Sequence, residues 1–239
     1  MAIWNMSKVG AEGQGDEVCV QSFTFCASSH PITYLGAKPV FIGSEPETWN
    51  MDPVLLEKAI LERKAVTGKY PKAIVPVALY GMPYDCDRIM AIADKYGIPV
   101  LEDAAEGMGS RYDANFWLCA ATIDPSVHVA GQEDAYKEVI KTAVGGAAGV
   151  IHAVDCATTD CQPNENVEAL RVFMLARKVE CRPLWKPMHK QPVYAGASVY
   201  TNGVEEDLFK VGFCLLAGPY VTDDDVRYIV DFIKEAIGA

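Results

Sequence analysis

The stretch KAIVPVALYGMPYDCDRIMAIADKYGIPVLED, residues 72–103, places one helix signal between two strand signals. KAIVPVAL, residues 72–79, is rich in Val and Ile and reads as a buried strand. Residues 85–96 carry apolar side chains at helical spacing, and Gly97 stands where a helix C-terminus needs a left-handed residue. IPVLED then returns as a second strand. A strand, helix, strand run of this kind is a crossover connection and implies parallel pairing. The same alternation holds upstream. EVCVQ (17–21) and KPVFIG (38–43) read as strands, with a mixed helical stretch near Ala27–Leu35 between them. Asp52 and Pro53 then fit an N-cap and first helical residue, followed by an apolar stripe of Leu55, Leu56, Ala59 and Ile60. The fold class that follows is α/β with a mostly parallel sheet. Ligands of such sheets bind outside the carboxyl ends of the strands, and Asp103 sits at one of those ends.

The second half reads differently. FWLCAATID (116–124), VIHAVD (150–155), ECRPL (180–184) and FCLLAG (213–218) are strand signals, and 132–143, 165–178 and 205–211 are helix signals. A last helix opens with Thr222 as N-cap and acids at 223–225, and expects its buried face on Val226, Ile229, Val230, Ile233 and Ile237. This is an α+β C-terminal domain. The expected boundary is Asp113–Ala114, giving domains 1–113 and 114–239.

Composition narrows the function classes. The formal net charge of -11 over 239 residues argues against general binding to nucleic acid or anionic membrane. No apolar run is long enough to span a bilayer, and the start, MAIWNMSKVGAEGQGDEV, does not read as a secretory signal. Eight scattered cysteines without a C-x-x-C pair read as reduced thiols, so the expected location is cytoplasmic.

Several residues invite chemical readings. An acid ending a buried strand, as Asp103 does, either meets a cation or proton donor or caps the following turn. Phe25 reads as a ring platform or as plain core. Gly145, Gly146 and Gly149 follow a helix rather than open one, which fits a C-cap turn better than a phosphate loop. His152, Cys156 and Cys161 match no standard zinc spacing, so no metal is expected. Arg182, Lys186, His189 and Lys190 form the strongest basic cluster of the chain, with Trp185 offering a flat face for a sugar or base or else packing the domain with Pro187.

GDEVCVQSFTFCASSHPITYLGAKPVF, PETWNMDP, VALYGMP, IPVLEDAAEGMGS and RPLWKPMHKQPVY occur in this order from Gly15 onward. With these motifs the chain resembles the DegT/DnrJ/EryC1/StrS sugar aminotransferases, with bacillosamine-type 4-aminotransferases as the nearest subgroup. The resemblance implies an aspartate aminotransferase-like large domain, pyridoxal phosphate as cofactor, glutamate as amino donor, a keto nucleotide sugar as acceptor, and a homo-oligomer. It implies that Asp103 pairs with the pyridinium nitrogen of the cofactor, Glu106 approaches its phenolic oxygen and Phe25 stacks on its ring. It places Trp185, Lys186 and His189 on the substrate side.

The chain departs from the family at one point above all. The Schiff-base lysine of the family follows the EDAA strand in a Ser-rich stretch. Here GSRYD runs directly into ANFWLC, which resembles a segment far downstream. Lys137 and Lys141 come next, in the helical pattern AYKEVIKTAV, which is the wrong context. The Ser-Gly-Thr stretch that cradles the cofactor phosphate is not found before GDEV either. The expectation is a truncated large domain with no catalytic lysine and impaired transamination. Two alternatives stay open: a non-catalytic binder of a nucleotide sugar or protein partner, and an altered chemistry on Asp103 and Glu106, with or without a metal.

Overall fold

The computed structural model describes residues 13, 15–107, 118–136, 161–215, 217 and 221–239. They divide into two compact units, Met1–Phe116 with Trp185–Glu205, and Trp117–Leu184 with Glu206–Ala239. The expected boundary at Asp113–Ala114 lies outside the described residues, as do Lys137, Lys141, the glycines of VGGAAGV, and VIHAVD.

The first unit is built on a parallel sheet. Strands β1 (Glu17–Gln21), β2 (Lys38–Ile42), β3 (Ala73–Val75) and β6 (Ser198–Tyr200) lie in the order β3-β1-β2-β6. Cys19 pairs with Val40 on one side and Ile74 on the other, and Val40 pairs in turn with Ser198. The expected strand at 72–79 is cut short at Pro76, which has no N–H to give to a ladder. Its line continues nonetheless. Ile74 N donates to Pro99 O, Leu101 N to Ile74 O and Asp103 N to Pro76 O, so IPVLED runs beside β3 through bridges at Val100 and Asp103.

Both faces of this sheet are covered, so its strands read as apolar runs rather than as alternation. One face packs Cys19, Val40 and Ile74 against Leu56, Ala59 and Ile60 of α2 (Pro53–Thr67) and Ile89 and Ala93 of α3 (Cys86–Tyr96). The other packs Val18, Val20, Phe41 and Val75 against Ile32 of α1 (His30–Tyr34), Met188 and Tyr194. Each fully buried Ile or Phe contributes about 1.5–3 kcal/mol. The helix ends follow the sequence signals. Asp52 accepts Val54 N at 2.7 Å, and Gly97 closes α3 in the left-handed region at φ 64°.

The second unit holds an antiparallel sheet, β4 (Cys119–Thr122), β7 (Gly212–Leu215) and β5 (Cys181–Pro183), in the order β4-β7-β5. Helices α4 (Glu165–Ala176) and α6 (Asp223–Ile237) share its core, while α5 (Val204–Val211) leads into β7. Asn164 caps α4 by accepting Val167 N, and Thr222 and Asp225 form a reciprocal cap at the start of α6. The buried face of α6 differs from expectation. Ile229, Phe232, Ile233, Ala236 and Ile237 meet the core, whereas Val226 and Val230 are exposed. Phe232 and Ala236 draw the contact line one position around the helix.

Cys19, Cys161, Cys181 and Cys214 are buried. Burial pushes the Cys181 thiol up to about 12, so it stays protonated. No described helix is long and apolar enough to cross a membrane.

Candidate functional site

Asp103 ends its strand with its main chain locked to β3, since its N–H and C=O bond Pro76 O and Ala78 N. Its side chain is held from two sides. Ser28 Oγ donates to Oδ2 at 2.7 Å, and Ala105 N donates to Oδ1 at 3.3 Å. Thr24 Oγ1 lies 2.8 Å from Ser28 Oγ. A serine hydroxyl has one proton, and Ser28 spends it on Asp103, so Thr24 is the donor in that contact. The buried hydroxyls of SFTFCAS therefore form a relay that fixes the carboxylate.

Glu106 sits three residues further on, in the turn that follows the strand. Tyr80 N donates to Glu106 Oε2 at 2.6 Å. Burial raises the Glu106 pKa above its ordinary value; the Tyr80 N–H opposes this and the Asp103 charge adds to it. Phe25, with half its surface exposed, lies against the Trp185 ring at 5.4 Å between centroids. The Trp185 indole stacks in turn on Tyr80, 6.5 Å away and within 11° of parallel. Trp185 Nε1 is buried and has no hydrogen-bond partner among the described residues.

The basic loop separates by burial. Lys186 is half-buried. His189 is turned inward, with its side chain 6% exposed. Its Nδ1 lies 2.7 Å from Ser22 Oγ and 3.9 Å from the fully buried Glu205 Oε1. Glu205 also accepts Ser44 N and the Thr201 hydroxyl. His189 thus braces the ends of β1, β2 and β6. The structure brings Phe25, Asp103, Glu106 and Trp185 into one corner of the first unit and places His189 within a neighbouring buried network.

Pyridoxal phosphate would fit this corner in part. A carboxylate offers about four acceptor positions, and two are used at Asp103, so it can still accept a ring N–H. Phe25 is half exposed and is linked to Glu106 through Trp185 and Tyr80. Lys137 and Lys141 lie outside the described residues.

A sequence model of the DegT/DnrJ/EryC1/StrS aminotransferase family matches residues 3–118 and 132–234. The chain belongs to this family. Its members are pyridoxal phosphate-dependent aminotransferases, and several of them are named for sugar substrates. Among relatives of this aminotransferase-family chain is EpsN of Bacillus subtilis, assigned as a pyridoxal phosphate-dependent aminotransferase. It is 33% identical over 300 residues, covering 92% of this chain and 77% of EpsN. That alignment is longer than the chain, 300 residues against 239, so EpsN holds residues with no counterpart here. The UDP-2-acetamido-2-deoxy-3-oxo-D-glucuronate aminotransferase of Pseudomonas aeruginosa is 51% identical over 100 residues, 42% of this chain and 26% of that enzyme. The aligned stretch therefore spans about a quarter of the Pseudomonas enzyme. The crystal structure of a DegT/DnrJ/EryC1/StrS aminotransferase from Brucella abortus superposes with a TM-score of 0.71 at 22% identity, covering 100% of this chain and 83% of that one. The aminotransferase fold is thereby shown.

Sequence reasoning missed Ser28, Thr24, Tyr80 and Glu205. Tyr80 had a signal in the Gly81 that follows it, since glycine punctuates turns. The other three are ordinary polar residues whose role depends on partners distant in sequence. Among the described residues no three His, Cys, Asp or Glu side chains group as a metal would require, and Cys161 is buried while His152 and Cys156 lie outside them.

Proposed function

We propose that this chain is a sugar aminotransferase in which the pyridine end of the cofactor site is kept and turnover is impaired. The carrying observation is the Asp103 carboxylate, fixed by Ser28 and Ala105 at the end of its strand. When bound, pyridoxal phosphate supplies an electron sink for the carbon that gains or loses the amino group. Asp103 would keep a proton on the ring nitrogen. Glu106 would face the phenolic oxygen, and Phe25 would support the ring. Trp185 and Lys186 would meet a nucleotide sugar, with His189 setting the loop that carries them. Glutamate would be the amino donor and a bacillosamine-type 4-keto sugar the acceptor. Residues 1–113, completed by Trp185–Glu205, would be the remnant of the cofactor domain, the rest of 114–239 the C-terminal domain, and the chain a cytoplasmic homo-oligomer.

Impairment follows from the run GSRYDANFWLC, which leaves no lysine in the family's context after the EDAA strand. Loss of a general acid–base alone slows a reaction by about 10²–10⁴-fold. The test is to incubate the protein with pyridoxal phosphate, reduce with borohydride and map the lysines by mass spectrometry. Scattered substoichiometric labelling is expected. Near-stoichiometric labelling of one lysine, or amino transfer from glutamate to a keto sugar, would overturn the impairment.

A second reading is a non-catalytic nucleotide-sugar binder. Its support is Trp185, a stacked indole whose N–H has no acceptor among the described residues. Titration calorimetry with UDP-, GDP- and dTDP-sugars decides it: binding without turnover favours this reading, and no binding removes it.

A further inference from the structure

Three described residues other than glycine have positive φ: Trp49 at 66°, Tyr80 at 54° and Lys178 at 62°. Two of them are large aromatics, and their rings meet edge to face at 6.4 Å. A bulky side chain stays in the left-handed region only when its surroundings hold it there, and such residues cluster at ligand clamps and switches. Tyr80 is held at three points. Its N–H donates to Glu106 Oε2 at 2.6 Å. Its buried ring stacks on Trp185 and meets Phe23 edge-on at 6.0 Å. Its hydroxyl oxygen accepts the main-chain N–H of Trp185 at 2.8 Å. One residue thus joins, through its backbone, the acid of the cofactor corner and, through its side chain, the loop at 185–190.

We propose that Tyr80 is a positioning residue that couples the charge on Glu106 to the placement of Trp185. An ionised carboxylate is the stronger acceptor, so the bond that keeps Tyr80 left-handed is firm while Glu106 is charged and slackens when it takes a proton. Any change at Tyr80 passes to Trp185 through both the stack and the hydroxyl contact. Among the described residues, Asp103 on the same turn is the charged group that acts on Glu106, and the Tyr80 N–H is the polar one from the facing segment. Burial and Asp103 favour the proton on Glu106 and outweigh the opposing Tyr80 N–H, so the change falls above the ordinary value of 4.5. The coupling stands apart from amino transfer, since it needs neither cofactor nor sugar.

The experiment uses the full chain without ligands. Near-ultraviolet circular dichroism and tryptophan emission are followed from about pH 4 to pH 8, and the Trp185 component is taken as what Trp185→Phe removes. In the wild type it should shift with one midpoint above 4.5. Glu106→Gln should hold it at the low-pH value throughout. Tyr80→Phe keeps ring and N–H but drops the hydroxyl contact, so the amplitude at Trp185 should fall and its amide should exchange about fivefold faster at neutral pH. A Trp185 component that is flat in the wild type, or a midpoint that survives in Glu106→Gln, overturns the proposal. Should a variant fail to fold, hydrogen exchange in the wild type decides. Protection of the Tyr80 and Trp185 amides, corrected for intrinsic rates, should fall together as pH drops. Constant protection at Trp185 overturns the coupling, and leaves the aminotransferase reading untouched.

Discussion

The two units bury different things. In the first, β1 is buried along its whole length, and polar side chains such as Gln21, Ser28, Asn50 and Glu205 are buried with it. In the described part of the second, β4 is largely open and the buried polar side chains are Asn166 and Glu168. A sheet packed on one face needs only an apolar stripe, whereas one covered on both faces must satisfy whatever polar groups its strand ends carry. The concentration of buried polar groups marks the unit that holds the candidate site. A stable fold alone would favour apolar residues at these positions, so each polar one has a local reason.

The largest effect should come from Gln21. Its Oε1 accepts Met51 N and Val77 N, and its Nε2 donates to Phe23 O and Asn50 Oδ1. Gln21→Leu keeps the volume but orphans two buried N–H groups, which should lower stability by about 3–5 kcal/mol in urea unfolding. A loss below about 1 kcal/mol would mean the polar interior of the first unit is incidental.

Glu106→Gln should change stability in the opposite direction. A carboxylate whose folded pKa is raised binds more protons in the folded state than in the unfolded one. Its contribution is fully present below the unfolded value of 4.5 and is lost as pH rises through the folded value. The variant should therefore melt above the wild type at neutral pH, and the gap should close as pH falls towards the unfolded value. A lower melting temperature at neutral pH would show that Glu106 serves the fold rather than the site.

The smallest effect tests the second unit. Val230 is exposed on α6, so Val230→Ser should stay within about 0.5 kcal/mol of the wild type in thermal melts. A larger loss would return the buried stripe to the face that simple periodicity favours.

Much of this was legible in the sequence because the signals were local. Asp52, Pro53, Gly97 and Thr222 mark helix ends within a few residues, and EVCVQ and KPVFIG are strands of ordinary length. The α6 stripe went wrong where two faces of one helix are both apolar and only packing chooses between them. β6 gave no signal, since Ser198–Tyr200 is three residues long and becomes a strand only by pairing with β2. The Asp103 corner was readable from motifs, but its hydroxyl relay was not. The inward turn of His189 was hidden for the same reason, because Ser22 lies 167 residues away in the chain.

β6 also bears on how the molecule is made. The first unit is closed by the segment Trp185–Glu205, and the outer edge of β2 is covered only when Ser198–Tyr200 arrives. On the ribosome, β1, β2 and β3 emerge early and then wait, with one sheet edge bare, for most of the remaining chain. Closing so long a loop is slow, and a bare parallel edge invites foreign strands meanwhile. A cut at a single point, such as after residue 113, would likewise part β2 from its neighbour. Neither half of the chain alone carries the complete sheet of the first unit.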